Sequence, residues 1–561
     1  MISRPHLILI PALCGCASDV PEDSSDTSVT SSLVHQSAIQ NCESPVEQFA
    51  RFSEEGVARG LTDLIPSTDR EEGGGKPSGR GGSVVASDLD ADGDVDLLFH
   101  PFLSDPMVYI NDGKGHFSPS NAAFENDAGL YKGGVNAAAA TDLNGDFVPE
   151  ILVASAGYAG IYWGDDNGWL SMESLHRDDR PTSFLPTDFA SYLTLSLGDI
   201  DGDNDLDLVL PGTGSLVEGE SHLSGGPDRI LENQENGFEH TVDLISGELG
   251  SRTMVALFTD HNADGDIDLF VPADRGPPSA LWTNQGKDSA GALTWENTAS
   301  GLHADLEMAA MGIDGADLNE DGRLDYCITD RARPRCLLSA PDGTFYEAGQ
   351  AMGVTADEPA NERFTTTGWS IDFADLDNDG LLDLFQTSGA EGEALELGLG
   401  NYANLIWRGV GGTDFQDVSV ESGLGSTENH YGHAIADFDG NGWLDIVVTG
   451  PMIQPRLFMA ACGSAHWLSL DLVGPANNTE AIGARVEAQL SQRSDMREIS
   501  SLRAQGQNPS LLHYGLGASD TLESLTVYWP DGSTETLRDL SANHHYTLLH
   551  PNAANPPWLE Q

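Results

Sequence analysis

Seven short segments of the chain gather acidic side chains at alternate positions of a nine-residue window. They read DLDADGDVD from Asp88, DLNGDFVPE from Asp142, DIDGDNDLD from Asp199, DHNADGDID from Asp260, DLNEDGRLD from Asp317, DLDNDGLLD from Asp375 and DFDGNGWLD from Asp437. Calcium takes six to eight hard oxygen ligands at flexible geometry, and alternate residues of a tight loop can point inward to supply them. Positions 1, 3, 5 and 9 carry side-chain oxygens, and position 7 is placed to offer its backbone carbonyl. The ligand set this predicts is Asp88, Asp90, Asp92 and Asp96 in the first copy, then Asp142, Asn144, Asp146 and Glu150 in the second. The third and fourth copies offer Asp199, Asp201, Asp203 and Asp207, and Asp260, Asn262, Asp264 and Asp268. The last three offer Asp317, Asn319, Asp321 and Asp325, then Asp375, Asp377, Asp379 and Asp383, then Asp437, Asp439, Asn441 and Asp445.

Position 6 is glycine in five copies, which suits a sharp turn at positive φ, and Asn204 tolerates the same geometry. An EF-hand shares the opening spacing but needs a bidentate glutamate at position 12 and flanking helices. Position 12 here is Phe99, Val153, Leu210, Val271, Ile328, Gln386 or Val448, so no copy is an EF-hand. The second copy departs most, with Phe147 in the glycine position and Glu150 after Pro149. Its site is expected to be the weakest. The nine-residue windows hold 28 carboxylates, whose mutual repulsion a cation would relieve, so up to seven structural calcium ions are expected. Magnesium fits less well because it demands a stricter octahedron, and a solvated acidic turn that binds nothing is the bland alternative.

The loops need elements to hold them. Their starts lie 54, 57, 61, 57, 58 and 62 residues apart, a period typical of repeat architectures. Before each loop stand small and β-branched residues (GGSVVAS, LTLSLG, GHAIA), and after it an apolar run (LLFH, ILVA, LVLP, IVVT). Further on come an apolar strand, a Gly/Asn/Asp turn and an aromatic that opens another strand, as in YINDGKGHF. Four strands per unit, seven times over, predict an all-β fold: a seven-bladed β-propeller whose radial packing buries both faces of each sheet. The last unit lacks its fourth strand, and Phe49 to Leu61 resembles the missing piece. This segment is expected to complete blade seven, placing Cys42 near Cys462, with Cys327 and Cys336 on adjacent strands of blade five.

The first sixteen residues combine Arg4, an apolar core from Leu7 to Leu13 and small residues before Cys16. That is an export-signal pattern, and Leu13 to Cys16 resembles a bacterial lipoprotein cleavage box in which Cys16 is lipidated. Residues 17–41 are polar and expected to be a flexible tether. No apolar run approaches the ~20 residues needed to span a bilayer. With 89 acidic against 26 basic residues among 561, the formal charge of −63 argues against nucleic acid as a partner.

The seven loops with their flanks resemble FG-GAP/VCBS repeats, and residues 464–552 resemble an ASPIC/UnbV domain through HWLSLDLVGPANNTEAIGARVEA and LLHYGLGASDTLESLTVYWPDGSTETL. Together they resemble the cartilage acidic protein family and its bacterial relatives. The resemblance implies a calcium-binding extracellular propeller. Read from its own alternation of apolar and polar residues, the C-terminal segment is a small β-rich domain with turns such as Pro530, Asp531 and Gly532. The expected layout is a signal at 1–16, a tether at 17–41, a propeller at 42–463, the second domain at 464–552 and a tail at 553–561.

All seven loops join the first and second strands of a unit, so they share one face. The longest connections, around 171–191, 213–228 and 388–403, belong to the other, which is expected to carry recognition of a protein or glycan. Arg80, Tyr192, Arg252, Trp369, His430 and His433 stand near the entry of the first strands and could converge there. No nucleophile elbow, zinc motif, P-loop or dinucleotide fingerprint is present. The expectation is a non-enzymatic binding, adhesion or scaffold protein of the bacterial cell envelope or surface. The alternative is a calcium-dependent carbohydrate-active enzyme such as a polysaccharide lyase.

Overall fold

The computed structural model describes residues 32–37, 51–63, 82–100, 106–120, 124, 135–155, 158–165, 168–177, 194–213, 225–234, 237–245, 252–331, 333–355, 367–390, 402–451, 453–490, 493–501 and 505–559. Among them the fold is almost all-β. The helices are two single turns, Ala299–Leu302 and Pro557–Leu559.

Seven antiparallel sheets each contribute four strands to a propeller-like arrangement, consecutive in sequence in all but the seventh. The innermost strands are Ser83–Ser87, Val135–Thr141, Ser196–Gly198, Leu257–Thr259, Ile313–Ala316, Thr367–Ala374 and Gly432–Ala436, numbered here as sheets one to seven. Their sequences are apolar at successive positions because each sheet is covered on both faces, which removes the usual polar-out alternation. In sheet one, Leu97 and Phe99 pack with Ala434 and Val447 of sheet seven, whereas Leu98 packs with Ala138 and Ile151 of sheet two. Further apolar clusters link sheets two and three, three and four, four and five, five and six, and six and seven.

Sheet seven draws its outer strand from the other end of the chain. Phe52–Glu54 pairs antiparallel with Arg456–Ala460, and Phe52 enters the cluster shared by sheets six and seven. Cys327 and Cys336 face each other on neighbouring strands of sheet five and form a disulfide. Cys462 is also disulfide-bonded; Cys42, its expected partner, lies outside the described residues.

The C-terminal region forms two four-stranded sheets around a common core that includes Leu470, Tyr514, Val486, Leu525 and Val527. One sheet runs in the order Ser32–Ser37, His544–Leu549, His466–Val473 and Leu511–Gly517. Ser32–Ser37 falls inside the stretch expected to be a tether. Here it is a strand, because the edge of His544–Leu549 offers unpaired backbone groups that an extended segment satisfies.

This domain seats on the loop side of the sheets and sends a segment between their innermost strands. Gly506 and Gln507 pair in parallel with Val84 and Val85 of sheet one, and the Gln507 amide bonds both backbone groups of Ala140 in sheet two. Ser501 Oγ accepts from Leu197 N–H in sheet three, Glu498 from Asp260 N–H in sheet four and Met496 carbonyl from Asp317 N–H in sheet five. Asn508 Oδ1 accepts from Ile435 N–H in sheet seven, and His513 bonds Asn378 of the sixth loop at 2.7 Å. Every sheet is thereby tied to the second domain.

Gly506 is required at its position, since a Cβ there would stand 1.8 Å from the His433 carbonyl oxygen. Backbone against backbone leaves little room to yield. Gly506→Ala is expected to cost about 1–3 kcal/mol through overpacking and to open the domain junction. Thermal unfolding with limited proteolysis checks this; an unchanged melting point and cleavage pattern would remove the segment from the fold's supports.

Candidate metal centres

Each acidic loop begins where an innermost strand ends, and its ninth residue is the first residue of the second strand. Two left-handed positions make the turn. At position 6, φ runs from 66° at Phe147 to 95° at Gly93, and at position 4 from 57° at Asn378 to 80° at Gly145. The sequence signals position 6 through its glycines. Position 4 is glycine in three loops and Asn378 in a fourth, but it is Ala91, Ala263 and Glu320 in the others, which do not advertise positive φ.

The two bends turn backbone N–H groups onto the position-1 carboxylate. The position-6 N–H donates to it in all seven loops, at 2.6–3.1 Å. Position 9 is a strut. Asp383 accepts from Leu376 N–H within its loop and Gly409 N–H on the third strand, and Asp445 does so from Phe438 and Ala460. Asp96, Asp207 and Asp325 repeat this pair of bonds. The ninth residue therefore locks the loop to its sheet, a role that ligand spacing alone did not reveal.

The sixth loop brings Asp375, Asp377 and Asp383 together with carboxylate oxygens inside 4.8 Å; so do Asp88, Asp90 and Asp96, Asp199, Asp201 and Asp203, and Asp437, Asp439 and Asp445. The second, fourth and fifth loops carry asparagine at position 3 and behave differently. Asn144 Nδ2 donates to Glu150, Asn262 Nδ2 to Asp264 and Asn319 Nδ2 to Asp325, so an amide stands between carboxylates there. A half-turn of that amide would present Oδ1 instead. Basic side chains also reach several loops: Lys287 to Asp201 at 2.8 Å, Arg408 to Asp377 and Asp379, and Arg485 of the second domain to Asp260 at 3.3 Å.

Electrostatics show why a cation fits. Burial, with repulsion between neighbours added, pushes Asp88 up to about 7 and Asp96, Asp207 and Asp268 to about 8. Burial likewise raises Glu150 to about 8, and Asp375, Asp383 and Asp445 well above the carboxylate range. Two carboxylates ~4 Å apart repel by about 4 kcal/mol at an effective dielectric of 20, more than the roughly 1.5–3 kcal/mol of a hydrogen bond to a charged group. Loop hydrogen bonds alone do not offset three such groups; a divalent ion does. Buried oxygens Asp375 Oδ1 and Asp201 Oδ1 have no hydrogen-bond partner among the described residues, which suits a hard cation as their missing neighbour.

The residues expected near the strand entries on the other face are dispersed into packing. Trp369 stacks on Tyr431 at 3.8 Å, Arg252 pairs with Asp274 at 3.1 Å, His430 bonds Asn404, and His433 is buried beside Asp372. Arg80 and Tyr192 lie outside the described residues, as does most of the three long connections.

The sequence matches a family model described as an FG-GAP-like repeat at residues 88–153, 142–210 and 317–385, and one described as ASPIC and UnbV at residues 474–555. The chain thus combines FG-GAP-like repeats with an ASPIC and UnbV domain. It shows weak homology to cartilage acidic protein 1: 22% identity to the Mus musculus protein over 503 residues (83% of this chain, 73% of the relative). Against the Xenopus tropicalis protein the identity is 23% over 533 residues (88% and 76%). Among solved structures, a lectin of Agrocybe aegerita studied with terminal N-acetylglucosamine aligns at TM-score 0.39 and 15% identity, covering 77% of this chain and 98% of its own. A Lactobacillus plantarum protein aligns at 0.40 and 9%, covering 64% and 98%.

Struts and ligands are separable. Asp383→Ala orphans two buried N–H groups and is expected to cost about 1–3 kcal/mol for each already in chelator, with a further loss in calcium because its carboxylate joins the cluster. Asp379→Ala is expected to lower stability more in calcium than in chelator, where it removes only the bonds from Leu381 N–H and Arg408. Denaturant unfolding of both variants under both conditions checks this, and equal losses for Asp379→Ala would exclude it as a ligand.

The pH dependence has a definite sign. Because these acids are raised in the folded state, the metal-free fold holds more protons than the unfolded chain between about pH 4 and 8. Its stability therefore falls as pH rises through that window. The calcium-loaded protein should run the other way, since protons compete with the ion. Melting temperatures in chelator that climb from pH 4 to 8 would contradict this electrostatic account.

Proposed function

We propose that the chain is an exported β-propeller of seven blades closed into a ring, with structural calcium in its loops. It serves as a binding, adhesion or scaffold protein of the bacterial cell envelope rather than as an enzyme. The observation that carries this reading is the recurrence, in all seven sheets, of one loop whose position-1 carboxylate is held by backbone N–H groups, with three carboxylates converging in four of them. Cluster-to-cluster packing from sheet one through sheet seven and back, with Phe52–Glu54 as the last strand, supports the closed ring.

Calcium is favoured over magnesium because the donor sets mix carboxylates with asparagine and backbone oxygens at flexible loop geometry. The C-terminal domain covers the loop side, which leaves the opposite face for a protein or glycan partner. Anchorage through a lipidated Cys16 completes the proposal.

Calorimetric titration of chelated protein with calcium, alongside thermal unfolding, tests it. A ligand that binds only the folded state adds RT ln(1 + [L]/Kd), so about seven ions and a large rise in melting temperature are expected. A stoichiometry near four would confine the ions to loops where three carboxylates converge. No binding would reduce all the loops to solvated turns.

A further inference from the structure

Two acids of the C-terminal domain belong to no loop and face no lysine or arginine in the space they line. Asp471 and Glu480 line a cavity of 240 Å³ between the first two acidic loops and the second domain. Its other walls include Asp88, Asp92 and Asp142 of the loops, Thr479, His545 and the rings of Phe147 and Trp558, which meet edge to face at 5.8 Å. Glu480 accepts from Thr141 Oγ1, whereas the Asp471 carboxylate has no hydrogen-bond partner among the described residues. Protein encloses Asp471 and Glu480, yet both keep accessible surface, because the surface they expose is that of the cavity.

We propose that this cavity binds an organic cation, a primary ammonium on a short alkyl chain. Its size decides against a bare metal ion. The space holds several waters' worth of volume, and neither acid belongs to a group of three carboxylates with oxygens inside 4.8 Å. An ammonium brings three donors to separated acceptors. Its alkyl chain would lie against Leu472, Val473 and the two rings, whose faces attract cations. Burial also raises Asp471 to about 7, as expected for an acid that lacks a counter-charge.

The inference rests on the proposed calcium loops only in that they must be filled first, so the test uses the full chain at saturating calcium, with ion stoichiometry measured separately. Two probes, 1,5-diaminopentane and Nα-acetyl-lysine methylamide, are titrated by calorimetry against 1-pentanol as the neutral control. Both amines are expected to bind and pentanol not to; Asp471→Asn should weaken the amines at least ten-fold and Trp558→Leu several-fold, with calcium binding unchanged. Tighter binding of the diamine would identify a free polyamine, and equal binding a lysine side chain of a partner. Should Asp471→Asn fail to fold, Trp558→Leu carries the comparison. Absence of amine binding, or binding that neither variant weakens, overturns the proposal.

Discussion

Like charges held close together in a desolvated place govern this molecule. Each loop collects three to five carboxylates at the mouth of a strand, and the backbone N–H groups turned onto positions 1 and 9 fix where those carboxylates stand. The same bonds that make the loop rigid keep the acids from moving apart. A rigid loop is therefore an unfavourable place for several negative charges and a favourable one for a cation, and both follow from the same hydrogen bonds.

That rigidity depends on the sheets. Position 9 is both the first residue of a second strand and the acceptor for the third strand's N–H, so loop geometry is set by ladder geometry. The ladders are in turn held by apolar side chains on both faces, which pack against neighbouring sheets and, in sheets two and three, also against the second domain. Leu97 and Leu98, adjacent in sequence, serve different neighbours. Loss of order in one loop is thus transmitted to two inter-sheet cores, so an ion bound there would be coupled to packing.

Much of this was legible in the sequence, because the features that repeat do so for a physical reason. Acid spacing, apolar runs on both sides and the missing fourth strand of the last unit each recur or fail at a fixed period. Phe52–Glu54 could be assigned because its flanks echo Phe415 and its neighbours, which form the equivalent outer strand of sheet six. What was not legible occurs once. Ser32–Ser37 is polar and short, and its strand identity comes from the edge it meets. Gln507 and Ser501 bond the innermost strands from a segment whose composition says only "loop". Among site residues, the strut role of position 9 was hidden because the same carboxylate serves equally well in a ligand reading.

The second domain turns these separate loops into one surface. Thr479 donates to Asp142, Arg485 pairs with Asp260, His513 bonds Asn378, and the indole of Trp467 covers Gly442, where a Cβ would collide with it. These four loops, and the fifth through Arg493 and Glu320, feel the domain directly, and each contact adjusts the charge or shape a cation would meet. Arg485 supplies positive charge at a loop whose position 3 is the neutral Asn262, whereas Thr479 supplies only a hydroxyl to the loop that ends in Glu150. Coupling of this kind is reciprocal: whatever the docked domain does to ion affinity at a loop, the ion does to docking. Ions bound in the loops would then act on the same equilibrium as the inserted segment and at the same strand ends, and their charge would offset that of the carboxylates held under the folded domain.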